Sequence, residues 1–390
     1  MELFELKPLS REFLEGIGFS WHTDPNNSSY VANEAIAISQ EEAEGYYAAA
    51  NELYDMYVEA GQYVIDNNLF FELGIPFNLV ESIKMSWENE VHWHLYGRFD
   101  FAGGLDGMPI KLLEFNADTP TMVFESAIIQ WALLKANGLS EARQFNNLYE
   151  ALRENFQRMI TLGGDPSGFS EIYEGWKILF SSIEGSDEEE MSVRLLQQIA
   201  RESGFETDFC YVHEAKLSGE EGLFFGDRNY EFWFKLIPWE NIAIDEPEMA
   251  HLMEEMIRNK NTIFLNPAYT LLFQSKRMLK ILWDLFPNHP LLLESSFEPL
   301  MGKKQVKKHA FGREGESVQI LDSHGGILTQ KSGSYENFPP LYQEYAPLNK
   351  HRDFFYQPNV FYAYEACALG FRRGEEIIDN YAKFVAHYIK

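Results

Sequence analysis

The sequence predicts a mixed α+β fold, and three features of the chain support it. Two short strands joined by a glycine-rich turn lie between Arg98 and Thr121. From Gln40 to Asn68, apolar residues recur at intervals of three and four, the period of an amphipathic helix. Between Lys177 and Val212, a strand, an acidic helix and a second strand follow one another, as in a parallel crossover. We therefore expect an antiparallel hairpin, a parallel sheet and covering helices.

Composition and charge narrow the class of protein. The chain has 390 residues, of which 45% are hydrophobic and 15% aromatic, values typical of a folded protein with a large core. The formal net charge of −28 argues against nucleic-acid binding, because phosphates require a basic surface. That charge would attract a cationic small substrate, and plain solubility is the other explanation for it.

Cysteine content and hydropathy predict the cellular setting. Cys210 and Cys367 alone cannot form a disulfide framework or a zinc cluster. The first residues lack a basic segment followed by an apolar run, and no window approaches the ~18 apolar residues of a membrane span. We therefore expect a cytoplasmic protein that does not associate with a membrane.

The predicted hairpin carries residues suited to metal and phosphate chemistry. Alternate side chains of a strand share a face, so Arg98 lies beside Asp100, and Glu114 lies beside Asn116. The turn formers between the strands fold them back on each other. Mg²⁺ prefers oxygen ligands, so Asp100, Glu114 and Asn116 are predicted metal ligands. Arg98 would stabilise charge on a transferring phosphoryl group.

The opposite face of the hairpin decides whether it is anchored or merely a solvated surface element. Its residues are apolar, which favours burial against the core: Phe99, Phe101, Leu113 and Phe115. Upstream, His92 and His94 could suggest a metal. No third soft ligand accompanies them, which favours an aromatic edge of the core.

Two lysines further along the chain fit a phosphate site. Lys276 precedes an apolar helix, and Lys308 ends a strand that is followed by a loop containing Gly312 and Gly315. Glycines allow phosphate oxygens to approach backbone N–H groups closely. A lone lysine is more often a surface charge, but its coexistence with a magnesium-type site favours a nucleotide role.

Together with the segment Leu112–Thr121, Leu-Leu-Glu-Phe-Asn-Ala-Asp-Thr-Pro-Thr, these residues resemble the glutathionylspermidine synthase family. More closely, they are similar to its stand-alone synthetase members, the acid–amine ligases. The resemblance covers nearly the whole chain and implies a permuted ATP-grasp fold with an inserted α/β, pre-ATP-grasp-like lobe. It implies that residues 1–165 and 266–390 form the ATP-grasp unit and residues 166–265 the α/β lobe.

The resemblance also implies a reaction. ATP, with Mg²⁺, would phosphorylate the carboxylate of a glutathione-like or other peptide, and a polyamine-like amine would attack the acyl phosphate to give an amide. One alternative is a non-catalytic acidic protein of the same fold that binds polyamines or peptides. Another is a glycosidase that uses Asp100 and Glu114 as paired acids, which would leave the lysines and the glycine-containing loop unexplained.

Roles for individual residues follow from the same resemblance. Arg98 and Arg372 would be the catalytic arginines, with Arg373 as the neighbouring alternative to Arg372. Thr121 and Glu125 are candidates for binding the amine, although Glu125 also fits a plain position in the first turn of a helix. Lys235–Glu240 matches the family without an evident role. The implied ATP-binding residues are Arg98, Asp100, Lys276, Lys308, Gly312, Gly315, Gln343 and Glu344, the last two in a hinge beside adenine.

Overall fold

The structure is a computed structural model and describes residues 1–24 and 26–390. The strands are β1 (Glu2–Glu5), β2 (Val31–Ile38), β3 (Gly97–Ala102), β4 (Lys111–Asn116), β5 (Lys177–Ser182), β6 (Glu206–Tyr211), β7 (Lys216–Ser218), β8 (Gly222–Phe225), β9 (Arg228–Tyr230), β10 (Phe232–Lys235), β11 (Ile263–Leu265), β12 (Ser295–Ser296), β13 (Gln305–His309), β14 (Val318–Leu321), β15 (Ile327–Lys331), β16 (Pro340–Glu344), β17 (Asn349–His351), β18 (Phe354–Ala363), β19 (Glu365–Gly374) and β20 (Lys383–Ile389). The helices are α1 (Arg11–Gly16), α2 (Gln40–Asn67), α3 (Val80–Trp87), α4 (Gln130–Ala136), α5 (Leu148–Thr161), α6 (Phe169–Ile172), α7 (Asp187–Glu202), α8 (Trp239–Asp245), α9 (Pro247–Asn259), α10 (Thr270–Gln274) and α11 (Met278–Leu285).

The largest sheet is built from both ends of the chain. Its strand order is β1-β2-β20-β19-β18-β3-β4, with β17 added beside β18. Only the β2–β20 pairing in this order is parallel. Helix α2 packs on β18 and β19 and begins with a capping box between Ser39 and Glu42. Residues near position 100 and residues near position 360 thereby become neighbours.

The second sheet contains the predicted parallel crossover. Strands β11-β10-β5-β6 pair in parallel throughout. Helix α7 connects β5 to β6 and packs on both of them. The predicted strand–helix–strand succession is therefore confirmed, with the apolar strand β5 buried beneath α7.

A third, antiparallel sheet carries the predicted phosphate-loop lysine. Its order is β12-β16-β13-β14-β15, and Lys308 lies in β13. The connection between β13 and β14 contains residues 311–317, hereafter the glycine loop. A small sheet, β7-β8-β9, completes the fold. The fold is mixed α and β with several sheets, as predicted. Within the described residues, no helix is both long and apolar enough to cross a bilayer.

The upstream histidines belong to the core, as predicted. The His94 ring stacks on Tyr54 with ring centroids 5.6 Å apart, and its Nε2 lies 3.1 Å from the Ala117 carbonyl oxygen. Burial lowers the pKa of His94 to about 4 and that of His92 to about 4. Both rings are therefore neutral parts of the interior near pH 7.

Candidate functional site

The β3–β4 hairpin brings the predicted metal ligands together. In its register, Arg98 lies opposite Asn116 and Asp100 lies opposite Glu114. Residues that are directly opposite on antiparallel strands have side chains on the same face. Two carboxylates, an amide and a guanidinium therefore converge on one side of the hairpin, as the alternation of residues predicted.

The other side of the hairpin is fixed to the core. The rings of Phe99 and Phe115 stack 3.8 Å apart at an interplanar angle of 6°, and both residues are buried with Phe101. The predicted burial of this face is confirmed for these three residues. Leu113 departs from the prediction and lines the cavity described below, while Leu112 is buried in the core.

Asp100 lies at the centre of a buried hydrogen-bond network. The Arg98 guanidinium donates to both of its oxygens, from Nε at 2.8 Å and from an Nη at 3.0 Å. Asn359 donates to Oδ1 at 2.8 Å and Asn116 to Oδ2 at 3.2 Å. Arg98 also donates to the Thr121 carbonyl oxygen at 3.0 Å. The carboxylate is thus held in one orientation by charge-assisted bonds.

Sequence reasoning missed Asn359. It lies in β18 directly opposite Asp100 of β3, and it is fully buried. The two residues are 259 positions apart in the chain, so no local motif could have linked them. Only the pairing of β18 with β3 reveals the contact.

Two lysines surround Glu114. Lys276 Nζ lies 2.6 Å from Glu114 Oε2, and Lys308 Nζ donates to the Leu113 carbonyl oxygen at 2.6 Å. Burial by itself would raise the pKa of Glu114, but the two ammonium groups outweigh it and lower the pKa to about 2. Burial lowers the pKa of Lys308 to about 7 despite the nearby Glu114 carboxylate.

These side chains open onto one cavity of about 390 Å³. Such a volume is within the range of small-molecule sites. Glu125 lies just outside the cavity wall, where its Oε1 accepts a 3.0 Å hydrogen bond from the indole of Trp21, a lining residue. Every other predicted site residue lines the cavity: Arg98, Asp100, Glu114, Asn116, Thr121, Lys276, Lys308, Gly312, Gly315, Gln343, Glu344 and Arg372.

Strand alternation separates the two candidate arginines at the end of β19. Arg372 lines the cavity and donates to the Asp379 carbonyl oxygen at 2.5 Å. Arg373 points to the other side and pairs with Glu34 at 2.6 Å. The cavity-facing residue is therefore Arg372, the position that the family resemblance favoured.

The predicted hinge residues in β16 are engaged by contacts within the protein. The Gln343 side chain is buried and donates to the Leu112 carbonyl oxygen at 3.1 Å. Glu344 pairs with Lys303 at 3.1 Å, and its backbone N–H donates to the Glu294 carbonyl oxygen at 2.7 Å. These side chains fix the shape of this end of the cavity.

The two loop glycines differ in what the fold demands of them. Gly315 has a φ of +71°, and a Cβ there would lie 2.5 Å from the Ile378 carbonyl oxygen. Only glycine fits this position without strain. A Cβ at Gly312 would lie 3.5 Å from its nearest neighbour, an ordinary contact. Packing inside the protein therefore requires glycine at 315 and tolerates a side chain at 312.

One end of the cavity is acidic and aromatic. Glu188 and Glu314 line it together with Trp21 and Tyr30, and the buried Glu125 lies behind Trp21. Burial, reinforced by the Glu125 and Glu314 carboxylates, raises the pKa of Glu188 to about 7. Burial also raises the pKa of Glu125. Carboxylates crowded in this way are stabilised by a cation.

The donor set at the hairpin fits a hard divalent cation held jointly with phosphates. Within residues 1–24 and 26–390, no three His, Cys, Asp or Glu side chains group as a metal site, so the protein ligands would be two carboxylates and an amide. The Asn116 amide nitrogen faces both carboxylates, at 3.2 Å from Asp100 and 3.4 Å from Glu114. A 180° turn of that amide would present its oxygen instead. Mg²⁺ accepts such a partial oxygen set completed by phosphates.

Comparison with known proteins assigns the family. A family model described as "Glutathionylspermidine synthase preATP-grasp" matches residues 1–390. The chain belongs to this family. A Haemophilus influenzae protein named "Putative acid--amine ligase" is 28% identical over 410 residues, covering 99% of this chain and 98% of that protein.

Two longer relatives are synthetases. The Escherichia coli bifunctional glutathionylspermidine synthetase/amidase is 26% identical over 366 residues, covering 82% of this chain and 55% of that one. The Crithidia fasciculata trypanothione synthetase is 23% identical over 331 residues, covering 79% of this chain and 49% of that one. The match thus spans about half the length of each of these two proteins.

A solved structure shares the fold. A glutathione synthetase-like effector, GSS30 from Globodera pallida, superposes with a TM-score of 0.54 at 9% identity and covers 98% of both chains. At this identity the likeness concerns the fold alone. The mixed architecture is therefore of the glutathione-synthetase-like kind.

Proposed function

We propose that the protein is an ATP-dependent acid–amine ligase that forms an amide through an acyl phosphate. The observation that carries the proposal is the convergence of Asp100, Glu114 and Asn116 with Lys276 and Lys308 at one cavity. Oxygen ligands beside buried cations suit a nucleotide polyphosphate with Mg²⁺. The names of the synthetase relatives agree with this reaction class.

Each part of the cavity would have a role in the reaction. When bound, Mg²⁺ would neutralise charge on the phosphate oxygens. Lys276 and Lys308 would bind the phosphates, and Arg98 and Arg372 would stabilise charge on the phosphoryl group as it moves to the substrate carboxylate. The amine then attacks the acyl carbon, the C–O bond to phosphate breaks, and amide, ADP and phosphate are released. The glycine loop would exclude water, which otherwise hydrolyses the acyl phosphate.

The proposal also assigns a ligand to each end of the cavity and a fold unit to each part of the chain. The acidic end, with Glu188 and Glu314, would bind the protonated amine before it loses its proton. Thr121 would contribute to binding, and Glu125 would contribute its charge from behind Trp21. The hinge at Gln343 and Glu344 would lie beside adenine. Residues 1–165 and 266–390 would form a permuted ATP-grasp unit around the α/β lobe of residues 166–265.

The test is nucleotide turnover with panels of peptides and polyamines. We expect ADP release that depends on both an acid and an amine, with a new amide detected by mass spectrometry. Asp100→Asn should abolish it, whereas Asp66→Asn, at an exposed position of α2, should leave it unchanged. Full turnover by Asp100→Asn would overturn the metal assignment. Binding of amines without nucleotide turnover by the unaltered chain would favour the non-catalytic alternative.

A further inference from the structure

The segment Lys235–Glu240 forms a buried charge cluster with Asp118, which lies two residues after the end of β4. Lys235 Nζ lies 3.8 Å from Asp118 Oδ1, and the side chains of both residues have no exposed surface. The Trp239 backbone N–H donates to Asp118 Oδ2 at 2.9 Å. Glu240, in the first turn of α8, is equally buried. Two carboxylates and one ammonium are thus held inside the protein.

The fourth charge of this cluster comes from the glycine loop. Arg313 donates from an Nη to Glu240 Oε1, while Glu240 Oε2 has no hydrogen-bond partner among the described residues. The pair links a loop of the antiparallel sheet to α8, 73 residues earlier in the chain. With Arg313 in place, the cluster has two positive and two negative charges. Without it, a net negative charge would be left buried, which is strongly unfavourable.

The other polar anchors of the loop act within its own sheet. Glu316 accepts from the Ser334 backbone N–H at 3.1 Å, and Ser317 accepts from the Tyr335 backbone N–H at 3.2 Å. These contacts hold the end of the loop against the connection between β15 and β16. The Arg313–Glu240 pair holds its beginning against α8, which lies in the chain between β10 and β11 of the parallel sheet. In this position Arg313, Glu314 and Gly315 line the cavity.

We propose that Glu240 is a positioning residue that holds the glycine loop over the cavity through Arg313. Asp118 holds the adjacent backbone through the Trp239 N–H, and Lys235 supplies a nearby buried positive charge. This gives the segment Lys235–Glu240 a role that does not require contact with substrate. A covered cavity favours transfer of the acyl group to the amine over its loss to water. This consequence for turnover rests on the proposed ligase function, whereas the loop contact itself does not.

Hydrogen exchange by mass spectrometry tests the contact without any ligand. Glu240→Gln keeps the side-chain volume and removes the charge. We expect amides 312–317 to exchange at least about tenfold faster in this variant, the effect of losing one charge-assisted bond. Arg313→Gln should accelerate exchange to the same extent. Combining Glu240→Gln with Arg313→Gln should cause no further acceleration. Arg313→Lys should retain part of the protection that Arg313→Gln loses. Glu254→Gln removes the same charge from the exposed Arg258 pair of α9 and should leave the loop unchanged.

The outcomes separate positioning from general stability. Faster exchange confined to residues 312–317, with β13 and α9 unchanged, supports the proposal. Wild-type loop exchange in a folded Glu240→Gln variant, or an equal rise throughout the protein, overturns it. If Glu240→Gln does not fold, the exchange of amides 312–317 in Arg313→Gln tests the same contact, because that substitution removes the partner in the loop.

Turnover supplies a second readout. Glu240→Gln should release several ADP for each amide formed, while the unaltered chain and Glu254→Gln remain coupled. Tight coupling in Glu240→Gln would contradict the role in excluding water. If the unaltered chain turns over no nucleotide, the proposed function fails, and the exchange result still decides whether Glu240 positions the loop.

Discussion

Lys276 Nζ lies 2.6 Å from Glu114 Oε2, so a protein cation already neutralises one of the proposed metal ligands. Together with Lys308, it holds the pKa of Glu114 near 2 against the opposing effect of burial. The carboxylate is therefore ionised and available at any physiological pH. The same cation competes with a metal ion that arrives without nucleotide.

This competition gives the first prediction. In Lys276→Met, the nucleotide-free protein should bind Mn²⁺, a spectroscopic substitute for Mg²⁺, at least about tenfold more tightly, because a unit charge beside the carboxylate is gone. ATP binding should weaken, since the phosphates lose a cation. Electron paramagnetic resonance titration measures the first effect and calorimetry the second. Lys276→Arg, which keeps the charge, is the control. An unchanged Mn²⁺ affinity in Lys276→Met would contradict the role of the Lys276–Glu114 pair.

Asn359→Ala should lower the free energy of unfolding by about 1–3 kcal/mol, because Asp100 loses a buried hydrogen-bond donor. Urea unfolding followed by circular dichroism measures the change. Asn67→Ala, at an exposed position of α2 where the amide donates to the Tyr63 carbonyl oxygen one turn earlier, should stay within about 0.5 kcal/mol. An equally small effect at position 359 would mean that Arg98 and Asn116 suffice to hold Asp100.

Phe99→Ala should cost about 3–5 kcal/mol of unfolding free energy, since it removes a fully buried ring that stacks on Phe115. The hairpin would also lose its rigid support, so nucleotide-dependent Mn²⁺ binding should weaken in the same variant. Phe99→Leu, which fills most of the space, should cost clearly less in both measurements. Equal effects of the two substitutions would show that packing volume under the hairpin is unimportant.

The buried histidines predict a pH dependence of stability. Burial lowers the pKa of His94 to about 4 in the folded chain, against about 6.5 when unfolded. The unfolded chain therefore binds more protons between these values, and stability falls as pH is lowered from about 6.5 to about 4. Each such histidine contributes a slope of up to about 1.4 kcal/mol per pH unit. Urea unfolding across this range should show a smaller slope in His94→Gln, and an unchanged slope would refute the assignment.

Much of the site could be predicted from local sequence. Alternation along two strands placed Arg98 with Asp100 and Glu114 with Asn116, because the period of a strand is two whatever surrounds it. The turn residues between them predicted the hairpin, and the register confirms it. Leu113 is the exception: a bulge near Asp100 and Phe101 shifts the pairing locally, and Leu113 faces the cavity instead of the core.

Contacts between residues far apart in the chain could not be predicted from local sequence. Asn359 reaches Asp100 because β18 inserts between β19 and β3. Arg313 reaches Glu240 because the glycine loop extends to α8. Neither side chain belongs to a motif with its partner, and the free energy of each contact depends on burial that only the assembled fold provides.

By itself, the sequence determined the β3–β4 hairpin, the long helix α2, the β5–α7–β6 crossover and the set of charged groups offered to a metal and phosphates, because periodicity and residue chemistry are local properties. The tertiary structure decided which of those groups meet. It set Arg372 and not Arg373 in the cavity, and it balanced the buried charges of Asp118, Lys235, Glu240 and Arg313. Electrostatic energy depends on distance and dielectric environment, and both are fixed only when the sheets pack together.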